Sequence, residues 1–185
     1  MQKSINLLYI CSVVRKKKIR GDGKSPLFIL KMFRDTVKEL LDKALEERQD
    51  LFLIDFEVLD NNAIRVVIDG DNGVLVEDCI FVSRAIEHNL DREDQDFSLE
   101  VMSSGATTPL SHIRQYKKNI GRVLGVKTKA SEKFEATLVN QDEEGIMLEW
   151  KAREPKPVGK GKVTVKKEAK IKYDDILEAK VIIKF

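Results

Sequence analysis

Hydroxyl side chains and a histidine lie close together in VMSSGATTPLSHIR and could form a hydrolytic site. A serine or threonine would be the nucleophile, and His112 would be the base that accepts its proton. Such a site depends on geometry that spacing does not supply, and the Gly-x-Ser-x-Gly turn that presents many catalytic serines is absent. A hydrolase that uses Ser104 and His112 therefore stays open only as an alternative. The hydroxyl candidates are Ser103, Ser104, Thr107 and Thr108.

Three other patterns of reactive residues do not complete a known site. Cys79 and His88 are nine residues apart, which places them on opposite sides of one helix and not together as metal ligands. GDGKS lacks the first glycine of a phosphate-binding loop, because Lys18 stands there, and Pro26 is expected to interrupt any following helix. The acidic run DREDQD lacks the spacing of a calcium loop. We expect no metal, no cofactor, no small-molecule substrate and no enzymatic activity.

The composition indicates a folded globular protein in a reducing compartment. The chain has 185 residues, of which 42% are apolar and 35% are charged, enough for one ordinary core or two small ones. Cys11 and Cys79 suggest neither a disulfide framework nor a zinc site. We expect a cytoplasmic protein.

The N-terminal segment combines an apolar run with a basic one. Residues 5–14 have the length of a signal-peptide core, but the positive charges of RKKK follow that run instead of preceding it. The pattern therefore favours neither export nor a membrane anchor. We predict that residues 1–31 form a flexible basic extension outside the fold, and that the first helix follows Met32.

Hydrophobic periodicity predicts an α-β-β-α-β order for residues 32–103. FRDTVKELLDKALEERQ has apolar residues at helical spacing, and a second helix is expected over about residues 76–90. LFLIDFEVLD, AIRVVID and FSLEVM alternate as strands, and the first alternation places Phe52, Ile54, Phe56 and Val58 on one side. The predicted fold is an α+β two-layer sandwich.

The remaining sequence has a different texture. Residues 104–110 are rich in small residues and contain a proline, which is typical of a joint between domains. Residues 111–185 begin with a short helix, RQYKKNIG, and continue with five short alternating strands and a polar hairpin insertion, KAREPKPVGKGK. This pattern predicts a small all-β barrel.

Charge is sorted along the chain. Residues 1–32 hold 8 Lys or Arg and 1 Asp or Glu, residues 33–100 hold 7 and 19, and residues 101–185 hold 18 and 11. The net charges are therefore +7, −12 and +7, although the whole chain carries only +2. The basic part suggests an anionic partner, and the acidic part suggests a basic one; the alternative is that both faces are only solvated.

Cations are densest in two stretches of the predicted barrel. The first stretch runs from His112 to Lys133 and the second from Arg153 to Lys172, and six cations of the first are the candidate contacts to RNA. Such cations could neutralise a phosphate backbone without reading sequence. Phe134, Trp150 and Tyr173 lie among them, but their alternation in strands is also typical of core residues. The candidate RNA contacts are Arg114, Lys117, Lys118, Arg122, Lys127 and Lys129.

Several motifs in one order resemble the ribosome maturation factor RimP family. They are VVIDGDNGVLVEDCIFVSRAIEHNLDREDQDFSLEVMSSGATTPL, then QYKKNIGRVLGVK, then KYDDILEAKVII, and the resemblance covers residues 33–185. It implies an α+β N-terminal domain followed by an SH3-like barrel. It also implies a monomeric, non-enzymatic factor that binds the free small ribosomal subunit through ribosomal RNA and a basic small-subunit protein, and assists late assembly.

The charge pattern and this resemblance together suggest which surface meets which partner. The basic barrel would lie against RNA, and the acidic helix residues Glu77, Asp78 and Glu87 would contact the basic protein. An RNA-binding regulator that acts on its own through the barrel is the alternative from another functional class.

The joint departs from the family pattern Ser-Ser-Pro-Gly-x-x-Arg-Pro-Leu. Ser104 stands where the family has its first proline, and Thr108 stands where it has arginine, so a contact of that arginine is not carried over. Gly105, Pro109 and Leu110 match, and the resemblance implies a turn and interdomain packing for them. Leu75 also replaces the usual cap of the second helix, which leaves Asp78 to stabilise the helix start by its charge.

Overall fold

The computed structural model describes residues 26–59, 61–91, 96–155 and 161–183. They form a mixed α+β protein with two sheets. The chain divides between Ser104 and Gly105 into an N-terminal unit and a C-terminal unit, a position inside the predicted joint. None of the helices in these ranges is long and apolar enough to cross a bilayer.

The N-terminal unit contains the predicted order of helices and strands. The β1 and β2 strands pair antiparallel, and β2 and β3 pair parallel, so that β2 is the central strand. Helix α2 connects the two parallel strands, as a parallel pair requires. That these elements form a two-layer sandwich stays a prediction. The elements are α1 (Pro26–Glu47), β1 (Leu51–Val58), β2 (Ala63–Gly70), α2 (Val76–Glu87) and β3 (Ser98–Ser103).

Helix α1 begins at Pro26, seven residues before the predicted start at Phe33. The expectation that Pro26 interrupts a helix is wrong because proline is tolerated in the first turn, where its missing N–H would have no partner inside the helix. Residues 26–31 therefore belong to a helix and not to a flexible extension. Residues 1–25 of the predicted extension lie outside the described residues.

Both helices and all three strands contribute to the N-terminal core. Apolar residues at helical spacing in α1 and α2 meet alternating residues of the strands, and the Phe33 and Phe97 rings lie 6.2 Å apart. Burial of these side chains supplies the main driving force for folding of the unit. The least exposed members are Val37, Leu41, Val82, Ile86, Ile64, Val66 and Ile68.

The predicted face of β1 is wrong in its first half. Leu53 pairs with Ile68 and Phe56 pairs with Val66, so an irregularity in register lies between Leu53 and Asp55. The extra residue of this bulge reverses the alternation, because side chains on a regular strand alternate with a period of two. Leu51 and Leu53 therefore share the core with Phe56 and Val58, and Phe52 pairs with Asp69 on the opposite face.

In the described residues, the C-terminal unit contains one short α-helix, a 3-10 helix at Tyr173–Asp175 and five strands. The strand order is β7-β6-β5-β4-β8, and every neighbouring pair is antiparallel. That this sheet closes into an SH3-like barrel stays a prediction. The elements are α3 (Ile113–Lys118), β4 (Val123–Thr128), β5 (Lys133–Gln141), β6 (Gly145–Pro155), β7 (Lys162–Lys172) and β8 (Ile176–Val181).

The C-terminal core has its own set of buried residues, to which strand β6 contributes Ile146 and Leu148. Gly145 begins β6 where a Cβ atom would lie 2.2 Å from the carbonyl oxygen of Ile171, so only glycine allows β7 to approach so closely. The fully buried side chains are Leu124, Leu138, Ile146 and Leu148.

Candidate functional site

Helix α3 is short and is held at its first residue by two side chains. His112 is the N-cap: its Nδ1 accepts a hydrogen bond from the backbone N–H of Arg114 at 3.2 Å. The Oε1 atom of Gln115 accepts from the backbone N–H groups of Ser111 at 2.8 Å and His112 at 3.0 Å. This reciprocal capping satisfies N–H groups that a helix start leaves without partners. His112 is exposed and stabilises the helix start.

The inward face of α3 determines which side chains point to solvent. Gln115, Tyr116 and Asn119 are buried, and the Asn119 amide donates to the carbonyl oxygen of Gln115 at 2.8 Å. The Tyr116 ring lies 5.3 Å from that of Tyr173, and burial raises the pKa of Tyr116 to about 12. The candidate cations of α3 therefore lie on the remaining, solvent-facing part of the helix.

A tight turn places Arg122 next to this helix. Gly121 has φ of +87°, a conformation that glycine adopts without strain, and its N–H donates to the carbonyl oxygen of Leu138 at 2.7 Å. The N–H of Arg122 donates to the carbonyl oxygen of Asn119 at 3.0 Å, and the Arg122 side chain is exposed. We call this group the α3 cluster: Arg114, Lys117, Lys118 and Arg122.

Lys127 and Lys129 lie at the other end of β4. Leu124, Val126 and Thr128 point inward, so Lys127 points outward and is exposed. The rise of a strand puts Lys127 about 17 Å from Arg122. The structure therefore divides the six candidate RNA contacts into two groups. Lys133 pairs with Lys127 across the sheet and is a basic residue that the candidate set missed.

Several candidate cations have no internal partner. Lys117, Arg122, Lys127 and Lys129 are exposed and form no ion pair with any acid in the described part of the chain. An exposed cation without an acid partner keeps its full charge available to a ligand.

Three lysines of β7 are different, because acids neutralise them. Lys166 Nζ lies 2.8 Å from Glu149 and 3.3 Å from Glu168, and these hydrogen bonds raise the pKa of Lys166. Lys167 pairs with Glu154. We call these contacts, together with those of Lys170, the β6–β7 ion pairs.

Lys170 forms ion pairs with two acids of the turn between β5 and β6. Lys170 Nζ lies 2.9 Å from Asp142 and 3.4 Å from Glu144. The hydrogen bond from Lys170, with those from the Gly145 and Glu144 backbone, lowers the pKa of Asp142. Three lysines of the second predicted basic stretch are therefore matched by nearby carboxylates.

The described aromatic residues of this unit pack in or against the core. Phe134, Trp150 and Tyr173 all pack against the C-terminal core, and the Phe134 and Trp150 rings lie 5.8 Å apart. Residues held in this way do not form an exposed platform on which bases could stack. The chemistry of this surface therefore favours contact with a phosphate backbone.

The acidic candidates of α2 do not share one environment. Asp78 is only 7% exposed, and its Oδ1 accepts a hydrogen bond from Arg48 at 2.8 Å. This internal role excludes Asp78 from the contact surface, which corrects the candidate set. Glu77 is exposed, and Glu87 is half-buried.

Asp78 also organises the start of α2. Its Oδ2 accepts a hydrogen bond from the backbone N–H of Leu75 at 2.8 Å. Leu75, the N-cap residue, has no side-chain acceptor, so Asp78 supplies the side-chain part of the cap as well as negative charge at the helix start. Arg48, which completes this arrangement from the end of α1, had no signal in the sequence.

A groove lies along the exposed side of α2, with a volume of about 590 Å³. Its lining includes apolar side chains, two negative charges from Glu47 and Glu77, and one positive charge from Arg84. The side chains that line the groove are Glu47, Glu77, Ile80, Phe81, Arg84, Ala85, His88 and Asn89.

The three matching residues of the joint have separate roles. Gly105 begins a turn in which the N–H of Thr108 donates to the carbonyl oxygen of Gly105 at 3.1 Å. Pro109 is exposed. Leu110 packs against the C-terminal core and donates its N–H to the carbonyl oxygen of Ala179 at 2.7 Å. The turn is therefore observed, and interdomain packing stays a prediction.

The other chemical candidates gain no site from the structure. Within the described ranges, no group of three His, Cys, Asp or Glu side chains could hold a metal ion. Cys79 is a half-buried free thiol, and burial raises its pKa, which keeps it protonated and unreactive.

Comparison with known proteins gives a consistent assignment. The RimP N-terminal domain family matches residues 40–107. A relative named ribosome maturation factor RimP, from Christiangramia forsetii, is 60% identical over 83% of this chain and 100% of its own length. The protein of that name from Flavobacterium psychrophilum is 53% identical over 83% of this chain and 99% of its own. That from Cytophaga hutchinsonii is 31% identical over 80% and 95%.

The similarity extends over both units. The match to the Christiangramia forsetii protein includes 154 residues, which is more than either unit contains. Both the acidic N-terminal unit and the basic C-terminal unit are therefore represented in that relative.

Proposed function

The chain belongs to the ribosome maturation factor RimP family, and we propose that it binds the free small ribosomal subunit and assists its late assembly without catalysing a reaction. Its place of action is the cytoplasm, and it acts as a monomer. The observation that carries the proposal is the α3 cluster, where Lys117 and Arg122 are exposed and form no ion pair with a described acid.

The proposed mechanism is selective binding. A factor that binds one arrangement of RNA and protein more tightly than another shifts the population toward that arrangement, and no covalent step is needed. The α3 cluster, with Lys127 and Lys129 at the far end of β4, would neutralise phosphates of ribosomal RNA.

The N-terminal unit would contact a basic small-subunit protein. Support comes from the groove along α2, where Glu47 and Glu77 lie beside apolar side chains. A lysine- or arginine-rich segment with an apolar anchor matches that combination, because the carboxylates attract the charge and the apolar lining residues contact the anchor. Glu87 is a further candidate on the same helix.

Sedimentation of a cell lysate tests the proposal. The protein should co-sediment with free small subunits and be nearly absent from translating ribosomes. A protein that stays with free RNA at the top of the gradient would instead support the regulator that acts on its own. Replacement of Ser104 by alanine and of His112 by asparagine, which keeps an acceptor at the N-cap of α3, should leave subunit binding intact, and a loss of function with the fold preserved would support the hydrolase.

A further inference from the structure

Strand β6 continues beyond the strand that pairs with it on one side. The pairing of β5 with β6 ends at Thr137 and Glu149, whereas β6 pairs with β7 as far as Pro155 and Lys162. In the described residues, positions 150–155 therefore pair only with 162–167. These two segments form a two-stranded extension of the sheet, which we call the arm.

The sequence prediction placed residues 151–155 in a polar hairpin insertion, and the structure shows that they are regular strand. Their register determines what each face of the arm presents. Arg153 pairs with Thr164, and Ala152 pairs with Val165. Because paired residues share a face and neighbours alternate, the arm has two unlike faces.

One face of the arm is cationic. It presents Lys151, Arg153 and Lys162, all exposed, and none forms an ion pair with a described residue. The acids on this face, Glu149 and Glu168, lie at its base and are both engaged by Lys166. The positive charge of the face is therefore not cancelled locally.

The other face is mainly apolar and holds the arm together. It carries Ala152, Val163 and Val165, and the Lys167–Glu154 ion pair crosses it. A two-stranded hairpin on its own is only marginally stable in water. Here the same strands continue into the core through Ile146 and Ile171, which are buried, so the arm has a firm base.

We propose that the cationic face of the arm binds the sugar–phosphate backbone of double-helical RNA, as a second contact separate from the α3 cluster. The inference rests on the proposed function and names a further surface for it. The cationic face spans about 13 Å from Lys151 to Pro155, and Lys162 lies opposite Pro155 on the neighbouring strand. Its three cations can therefore contact successive phosphates along the edge of a groove.

Two features of the arm favour a duplex over a single strand. Trp150, the aromatic residue of the described arm, packs against Phe134 and is not presented for base stacking. Without stacking, binding depends on charge, and charge density is greater on a duplex than on a single strand. The minor groove of an A-form duplex is wide and shallow, so a two-stranded ribbon can lie across it against the sugar–phosphate backbone.

The test removes the three charges without changing the strands. The variant K151Q/R153Q/K162Q and the charge-retaining control K151R/R153K/K162R are made in the full chain. Binding to an RNA duplex of about 20 base pairs, and to a single strand of the same length, is measured over a range of salt concentrations. Thermal unfolding confirms that both variants remain folded.

The neutral variant should bind the duplex about tenfold more weakly than wild type, and its slope of log affinity against log salt should be smaller by about 2 to 3. The control should retain the wild-type affinity and slope. Equal duplex binding by all three proteins would overturn the inference, and so would tighter binding of wild type to the single strand.

A binding assay with free small subunits separates this inference from the proposed function. If wild type does not bind the subunit, the proposed function fails. If wild type binds it and the neutral arm variant binds it equally well, only the arm contact fails.

Discussion

The α3 cluster and the β6–β7 ion pairs belong to the same unit, and both come from lysine-rich sequence, yet they present different surfaces. Lys117 extends from helix α3 and Arg122 from the turn that follows it, and no acid pairs with them in the described residues. Lys166 and Lys170 each contact two carboxylates. Local pairing with acids, and not the density of lysine, therefore determines where positive charge is available to a ligand.

The same distinction applies to the acids of the N-terminal unit. Asp78 and Glu77 are adjacent in the sequence, but Asp78 is buried against Arg48 and Glu77 faces solvent. A charged residue with an internal partner stabilises the fold, whereas one without such a partner can serve a ligand.

The strongest test of this distinction removes charge from the α3 cluster. The variant K117Q/K118Q/R122Q should bind free small subunits about ten- to hundredfold more weakly, because up to three phosphate contacts are lost. Its thermal stability should match wild type. Binding is measured by sedimentation at two salt concentrations, and wild-type affinity at both would contradict a role of this cluster in RNA contact.

The next effect is on stability in the N-terminal unit. D78A removes the acceptor for Arg48 and for the N–H of Leu75, so the unit should lose about 2 kcal/mol of unfolding free energy. Amide hydrogen exchange in β2 measures the unfolding free energy of the N-terminal unit separately from that of the C-terminal unit. The matched control E77A should change that value by less than about 0.5 kcal/mol. Equal values for the two variants would show that Asp78 has no special structural role.

A smaller effect is expected from the lysines that already have partners. The variant K166Q/K167Q/K170Q removes as many charges as the α3 variant, but its subunit affinity should change by less than about threefold, because these charges are matched by acids. Titration of free small subunits with this variant and with the α3 variant, under the same conditions, measures both affinities. A loss as large as that of the α3 variant would mean that pairing does not control availability.

The smallest effect concerns one carboxyl group. Lys170 lowers the pKa of Asp142, so the stabilisation from this contact is present above the ordinary value of 3.8 and is lost as pH falls through the lowered value. In K170Q the pKa of Asp142 should rise toward 3.8 and stay somewhat low, since the backbone N–H groups of Gly145 and Glu144 still donate to it. An NMR titration of the carboxyl carbon measures both values, and identical values would exclude the contact in solution.

The order of helices and strands could be predicted because periodicity is a local property. The apolar residues of α1 recur at helical spacing, and those of β2 alternate, whatever surrounds them. The first residue of α1 was missed because Pro26 is unfavourable inside a helix and acceptable at its start, and only the chain's actual path distinguishes the two.

The face of β1 and the use of each charge were not available from the sequence. The bulge near Ile54 inserts one residue into a register that β2 determines, so the alternation reverses without a local signal. The candidate RNA contacts were selected by density alone, which grouped Lys127 with Arg122 although the length of β4 separates them.

By itself, the sequence determined the family, the order of the elements and the separation of acidic from basic stretches, because these depend on residue types along the chain. Only the tertiary structure decided that Asp78 faces inward, that Lys166, Lys167 and Lys170 have acid partners, and that residues 150–155 extend beside β7 with one cationic face. The physical reason is that electrostatic pairing acts over a few ångströms in space, and residues that are far apart in the sequence supply the partner.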